Sequence, residues 1–347
     1  MTRPRRPVVG IVGNDVPRQL VLASGATPHR VTGSWTGDVD PVARDLLGAA
    51  DAVAGRILSQ VRAGRLDCDA LVVCADSQAN VRLFYVLRSI APELPLHLVD
   101  LPRAPSTAAR RFARFQFAGL VAFLTGLTGQ ALDAAALARS ADAERALGSA
   151  LERLRARRRA EPPQCSGALA LEALLDAARL DPADAVVRVD GARSDVPQTA
   201  VRVHLTGSSH PDAGLYRALE EQGCVIVSED HDTGDGAWLG VAVDAATVEE
   251  AIDGLVDRHF DRVGGSATAS SAARALLTRD TALLGAARGV GGVIRELDEA
   301  PAWDVPDQAE LLGEIGVALH VQTRVHPGDE LRAVRELARD LTGAAAA

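Results

Sequence analysis

Three short stretches carry side chains whose types and spacing suit chemistry. Glu229-Asp230-His231-Asp232 sets three carboxylates around one imidazole, the ingredients of an acid/base or metal site. Thr206-Gly207-Ser208-Ser209 joins a glycine, which lets backbone approach a ligand, to hydroxyl donors ahead of an expected helix, as anion binding requires. Cys74-Ala75-Asp76-Ser77 brings a thiol and a carboxylate to the end of an apolar run. Plainer readings stand beside each. Adjacent residues cannot all face one point, so residues 229–232 are expected to form a solvated loop. Ser208 or Ser209 can simply cap the following helix. His204 and His320 alternate with apolar neighbours and are expected to be satisfied strand histidines. No Gly-x-Ser-x-Gly elbow supports a hydrolase triad. Gly289-Val290-Gly291-Gly292 precedes an expected strand where a dinucleotide loop would follow one.

The positioning elements must come from a chain of 347 residues with 37 Lys plus Arg and 46 Asp plus Glu, a net charge of −9. At about 100–200 residues per domain this length predicts two or three domains with sizeable cores. No lysine occurs anywhere, which excludes a P-loop lysine, a Schiff-base lysine and a lysine general base. The acidic balance argues against nucleic-acid partners, which need a basic surface. No apolar stretch reaches the roughly 20 residues of a membrane span, and the basic opening MTRPRRP lacks the apolar core of a secretory signal. A cytoplasmic protein without a membrane partner is expected. Cys68, Cys74, Cys165 and Cys224 form no Cys-x-x-Cys pair and are expected as unlinked thiols.

Apolar runs at Val8–Val12, Ala70–Val73 and Leu96–Val99, separated by helical patterns from Asn14 to Leu22 and Gln78 to Ile90, predict parallel strands covered on both faces. Helical spacing over Ala108–Arg159 and Ala168–Leu180 follows, with Asp190–Pro197 as a linker. The pattern then repeats: strands at Val201–Leu205, Cys224–Val227, Gly292–Ile294 and Val317–Val325. The accompanying helices are expected at Ser208–Gln222, Thr247–Arg258, Ala267–Ala287, Gln308–Ile315 and Asp329–Leu341. The expected architecture is α/β, with two parallel-sheet lobes joined by a helical region: residues 1–105, 106–196 and 197–347. In such sheets ligands bind beyond the carboxyl ends of strands, so the loops at Gly13–Asp15, Cys74–Ser77, Thr206–Ser209 and Ser228–Asp232 are the expected site.

At these loops the chain resembles the 2-hydroxyacyl-CoA dehydratase / benzoyl-CoA reductase family, in particular its cluster-bearing component. The similarity lies in Val9–Leu20 with Ala23-Ser24-Gly25-Ala26-Thr27-Pro28, in Asp69–Asp76, in Leu205–Ser208 with the Leu219–Cys224 helix end, and in Gly292-Val293-Ile294 with Gly316–Leu319. The resemblance implies two flavodoxin-like (Rossmann-like) lobes around an acyl-CoA site and a related subunit as partner in a heterodimer. It also implies a [4Fe-4S] cluster on three cysteines, fed one electron by a separate ATP-hydrolysing activator. The thiols depart from that pattern. The family's Cys-Asp pair reads Ala75-Asp76, with Cys74 one position early; residues 33–64 and 295–306 contain no cysteine; and Asp232 stands where the family's Asp-Asp-x-Cys stretch ends. Clusters need thiolate ligands, so no cluster is expected here.

Three functions remain open: a cluster-free subunit binding an acyl-CoA thioester beside a related subunit; a non-radical acid/base lyase in the same pocket, with Asp76, His231 and Asp232 as its acid/base groups; and a non-catalytic binding or scaffold protein. Thr206, Gly207, Ser208 and Arg82 are the expected thioester contacts. Gly207→Val is expected to abolish binding while leaving the fold intact.

Overall fold

A computed structural model describes residues 5–265 and 268–346. In the first lobe the chain forms β1 (Val8–Val12), α1 (Arg18–Ala23), β2 (Thr27–Arg30), α2 (Pro41–Leu47), α3 (Ala52–Arg62), β3 (Ala70–Cys74), α4 (Gln78–Ile90) and β4 (Leu96–Val99). Four helices follow: α5 (Thr107–Thr128), α6 (Ala134–Arg159), α7 (Gly167–Ala177) and α8 (Pro182–Gly191). The second lobe contains β5 (Val201–Gly207), α9 (Gly214–Glu220), β6 (Cys224–Glu229), α10 (Val248–Asp261), α11 (Ser271–Leu284), β7 (Gly289–Arg295), α12 (Ala300–Glu314), β8 (Ala318–Val325) and α13 (Glu330–Ala346). No helix among the described residues is long and apolar enough to cross a membrane.

Both sheets are wholly parallel and share one topology. The first has order β2-β1-β3-β4 and the second β6-β5-β7-β8. In each, the first strand lies between the second and third, so consecutive crossovers leave in opposite directions and open a crevice at the carboxyl ends of the central pair. The central strands β1 and β3 are short and apolar because helices cover both faces: all five residues of β3 are buried. Each fully buried Val or Leu contributes about 1.5–3 kcal/mol, so register is held by the loss that exposing them would bring.

The core on one face of the first sheet draws on residues far apart in the chain. One face of the first sheet, with Val9, Ile11, Val72 and Val99, packs on α5 through Phe117, Leu120 and Leu124. It also packs on α10, from the other half of the chain, through Ala251, Ile252, Leu255 and Val256. Helix α6 touches α1, α8 and β6, tying the lobes together, and a buried ion pair joins Arg18 on α1 to Glu144 on α6 at 3.1 Å.

Several local expectations change. The long middle helix is two helices, broken at Gly129, whose φ of +68° ends α5 in the left-handed region that favours glycine. Part of the expected Asp190–Pro197 linker is helical, since α8 runs to Gly191. The helix expected from Ser208 begins only at Gly214, because Pro211 and an Asp212 side chain that accepts from the Gly214 N–H shape an intervening turn. Gly289–Gly292 lies inside β7; a Cβ on Gly291 would meet Leu205, Leu337 and Leu341 at 3.0–3.3 Å, so these glycines let α13 lie close on the sheet. The helix expected from Ala267 starts at Ser270 as its cap, and Ala267 itself lies outside the described residues. Elements β2, α2 and α3, within a polar and glycine-punctuated stretch, have no counterpart in the sequence reading.

Candidate functional site

The two crevices face each other. The loop after β1 (Gly13, Asn14, Asp15), the turn after β3 (Asp76, Ser77), the end of β2 (Arg30), the loop after β5 (Gly207, Ser209), the turn after β6 (His231, Asp232) and the end of β7 (Arg295, Asp298) line one interlobe cleft with a cavity volume of about 140 Å³. Ser77 caps α4 by accepting from the Asn80 N–H at 3.1 Å, which fixes the turn that presents Asp76. Asn80, one turn further, donates from Nδ2 to Asp76 Oδ1 at 2.7 Å, and the Asn14 N–H donates to Asp76 Oδ2 at 2.6 Å. Gly13 makes room: its φ is +97°, and a Cβ there would lie 2.6 Å from the Asp76 carboxylate.

The cleft is rich in carboxylates. Burial, reinforced by the nearby charges of Asp15 and Asp232, pushes the Asp76 carboxyl up to about 7, against the hydrogen bonds from Asn14 and Asn80. Asp298 is also raised, by burial and by Asp51 and Asp232, with Arg295 opposing. Asp51, which caps α3, pairs with Arg295 at 2.6 Å, and Asp232 pairs with Arg30 at 3.2 Å. Asp15 is paired with Arg262, whose guanidinium lies 4.3 Å from the Trp238 ring.

Of the expected acid/base groups, the structure brings Asp76, His231 and Asp232 to the cleft lining, but their situations differ. The His231 ring is buried and both nitrogens are engaged, Nε2 with the Tyr216 hydroxyl at 2.7 Å and Nδ1 with the Thr233 hydroxyl at 3.1 Å. Burial lowers its pKa, which keeps the imidazole neutral. Of the solvated loop expected at residues 229–232, Glu229, Asp230 and His231 are instead interior and Asp232 is half-buried. Glu229 pairs with Arg158, while Arg274, His204 and Thr278 hold Asp230 well below the usual carboxylate range despite its burial. Each member of the run faces a different partner, because successive residues leaving a strand point in different directions. His204 is a satisfied strand histidine, bonded to Ser228 at 2.9 Å and Asp230 at 3.3 Å.

The expected thioester contacts divide similarly. Gly207 lines the cleft, but the hydroxyls beside it are engaged within the protein. Gln308 Nε2 donates to Thr206 Oγ1 at 3.0 Å, and Ser208 Oγ donates to Asp298 at 2.6 Å while accepting from the Arg295 N–H at 3.0 Å. Arg82 is not among the residues that line the cleft and donates to the Ala49 carbonyl at 2.6 Å. Asn14 lies in the loop Gly13–Asp15 that the strand-end rule named, without a role of its own; sequence reasoning missed Arg30, Asp51, Asn80 and Arg295. Arg30 ends a strand whose pattern, Thr-Pro-His-Arg, carries no apolar run.

The four thiols are spread over both lobes and the helical region between them. Cys74 closes the carboxyl end of β3, where it accepts from the Asp15 N–H at 3.2 Å; Cys68 precedes the amino end of the same strand, about 20 Å away at the strand rise. Cys224 opens the amino end of β6, and Cys165 sits between α6 and α7. Burial raises all four, Cys68 and Cys224 to about 11. Among the described residues no three His, Cys, Asp or Glu are grouped to hold a metal ion.

The family described as 2-hydroxyglutaryl-CoA dehydratase, D-component, matches residues 14–290, a span that begins at the first cleft loop and ends within β7. Among curated proteins, none matches the chain.

Proposed function

Because the chain belongs to the 2-hydroxyglutaryl-CoA dehydratase D-component family, we propose that its interlobe cleft receives the acyl end of a CoA thioester, and that the chain is a cluster-free member working beside a related subunit. The observation that carries this reading is the closure of two strand-end crevices on one cavity. A cavity of about 140 Å³ is smaller than the roughly 300–1,000 Å³ that encloses a drug-sized ligand, so it suits an acyl group and its thioester. Gly207 and the cleft face of Asp76 are the expected neighbours of the thioester; the engaged hydroxyls of Thr206 and Ser208 are supports.

Calorimetry with 2-hydroxyglutaryl-CoA, acetyl-CoA and free CoA tests the pocket. The thioesters are expected to bind severalfold tighter than free CoA, since each buried methylene is worth about 0.8 kcal/mol, a factor of about four. Equal affinities would place the ligand elsewhere. Anaerobic purification with iron and sulfide assays tests the cluster: about four irons per chain would overturn the cluster-free assignment. A second reading, non-radical acid/base chemistry, is favoured by the Asp76 carboxyl poised near neutral pH. Thioester binding with neither turnover nor a partner subunit would leave a binding or scaffold role.

A further inference from the structure

Among the described residues, the three arginines that line the cleft differ in how Nε is engaged. Arg295 gives its donors to Asp51, Asp298 and the Ser209 carbonyl, and Arg274 gives its own to Asp230 and Asp304. Arg30 differs. One Nη1 hydrogen goes to Asn14 Oδ1 at 3.1 Å and one Nη2 hydrogen to Asp232 Oδ2 at 3.2 Å, while its buried Nε finds no partner. A guanidinium has five donors, so one hydrogen on each Nη of this cleft-lining residue remains beside the unpaired Nε. Arg30 and Asp76 are also fixed to the same residue. Asn14 accepts from Arg30 with its side chain and donates to Asp76 with its backbone N–H, and the Trp238 N–H holds Asn14 Oδ1 in place at 3.0 Å. A group able to hold an oxyanion and a group able to take a proton thus line one cavity, tied through one asparagine.

We infer that Arg30 and Asp76 form an electrophile–base pair that exchanges the proton on the carbon next to a thioester carbonyl. The inference rests on the thioester reading of the cleft. The Asp76 carboxylate takes the α-proton as the C–H bond breaks. That electron pair becomes the C=C bond of an enolate, the carbonyl π pair moves onto oxygen, and the Arg30 N–H groups donate to the oxyanion. Return of the proton from Asp76 to carbon restores the thioester, so no oxidant or reductant is needed. A carboxyl titrating near neutrality suits a base at that task. Asp232 serves as the resting counter-ion of Arg30, and His231, with both nitrogens engaged, takes no part.

The test is deuterium incorporation at Cα of acetyl-CoA in D2O, followed by NMR and mass spectrometry, alongside calorimetric affinity for the same thioester. The wild-type chain is expected to exchange well above the enzyme-free rate. Asp76→Asn and Arg30→Gln are each expected to lose about 100-fold or more in exchange, with the Asp76→Asn affinity within about threefold of wild type. Binding without exchange, or exchange unaffected by both substitutions, would overturn the pair while leaving the thioester site standing. Absence of binding would overturn the site and the pair with it.

Discussion

At Asp76 burial and like charge outweigh two good hydrogen bonds, and the sign of that balance is measurable as stability. Its carboxyl titrates near 7 in the folded chain against 3.8 ordinarily, so between those values the native state holds a proton that the unfolded state has lost. Stability therefore falls as pH rises from about 4 to 7, and the full penalty persists above 7. Asp76→Asn removes it. The amide can accept from the Asn14 N–H and donate to Asn80 once the Asn80 amide turns over, so the turn is kept. The variant is expected to match wild type near pH 4 and to exceed it above pH 7 by about 1–3 kcal/mol in urea denaturation. A difference that does not change with pH would show that Asp76 carries no such penalty. Asp76 was legible from sequence because it follows a strand and precedes a helix. Its raised pKa was not, because Asp15 and Asp232 come close only through folding.

Gly207 shows how an element can look like a ligand loop for reasons of packing. It sits at the end of β5 with φ +104°, and a Cβ there would lie 2.5 Å from the Val293 carbonyl oxygen of the neighbouring strand. Valine is doubly unsuited, being β-branched in a left-handed conformation and in collision with backbone. Gly207→Val is therefore expected to cost ~3 kcal/mol or more and to lower the melting temperature and soluble yield, in contrast to the silent fold expected from sequence. An unchanged melting temperature would contradict the geometry. The glycine, then, is explained by the close approach of β5 to β7. The helix start expected at Ser208 failed for a related reason: hydroxyls before a helical pattern resemble a cap, yet Ser208 donates to Asp298, 90 residues on.

Across the whole molecule, ion pairs couple the lobes at the mouth of the site. Arg295 at the end of β7 meets Asp51, the cap of α3, Arg30 meets Asp232, and Arg262 meets Asp15. With α10 completing the first lobe's core, the two sheets should unfold together. Asp51→Asn keeps the cap on α3 but leaves Arg295, 7% exposed, short of its carboxylate. The expected loss is about 2–4 kcal/mol, in a single transition that tryptophan fluorescence and circular dichroism report alike. Two separated transitions would show the lobes to be independent.

Local pattern alone determined the parallel strands at Val8–Val12 and Leu96–Val99, the helix at Gln78–Ile90 and the repetition of one α/β plan. Burial on both faces demands continuous apolar runs, and amphipathic spacing demands helices. The same pattern named the strand ends where a ligand belongs. Tertiary structure decided which side chains meet there. Arg30 and Asp232 stand 202 residues apart yet hydrogen-bond across the cleft, and Arg30 leaves a strand that no apolar run announces. Charge pairing between distant residues depends on how two sheets are laid against each other, and periodicity in one dimension contains no term for that.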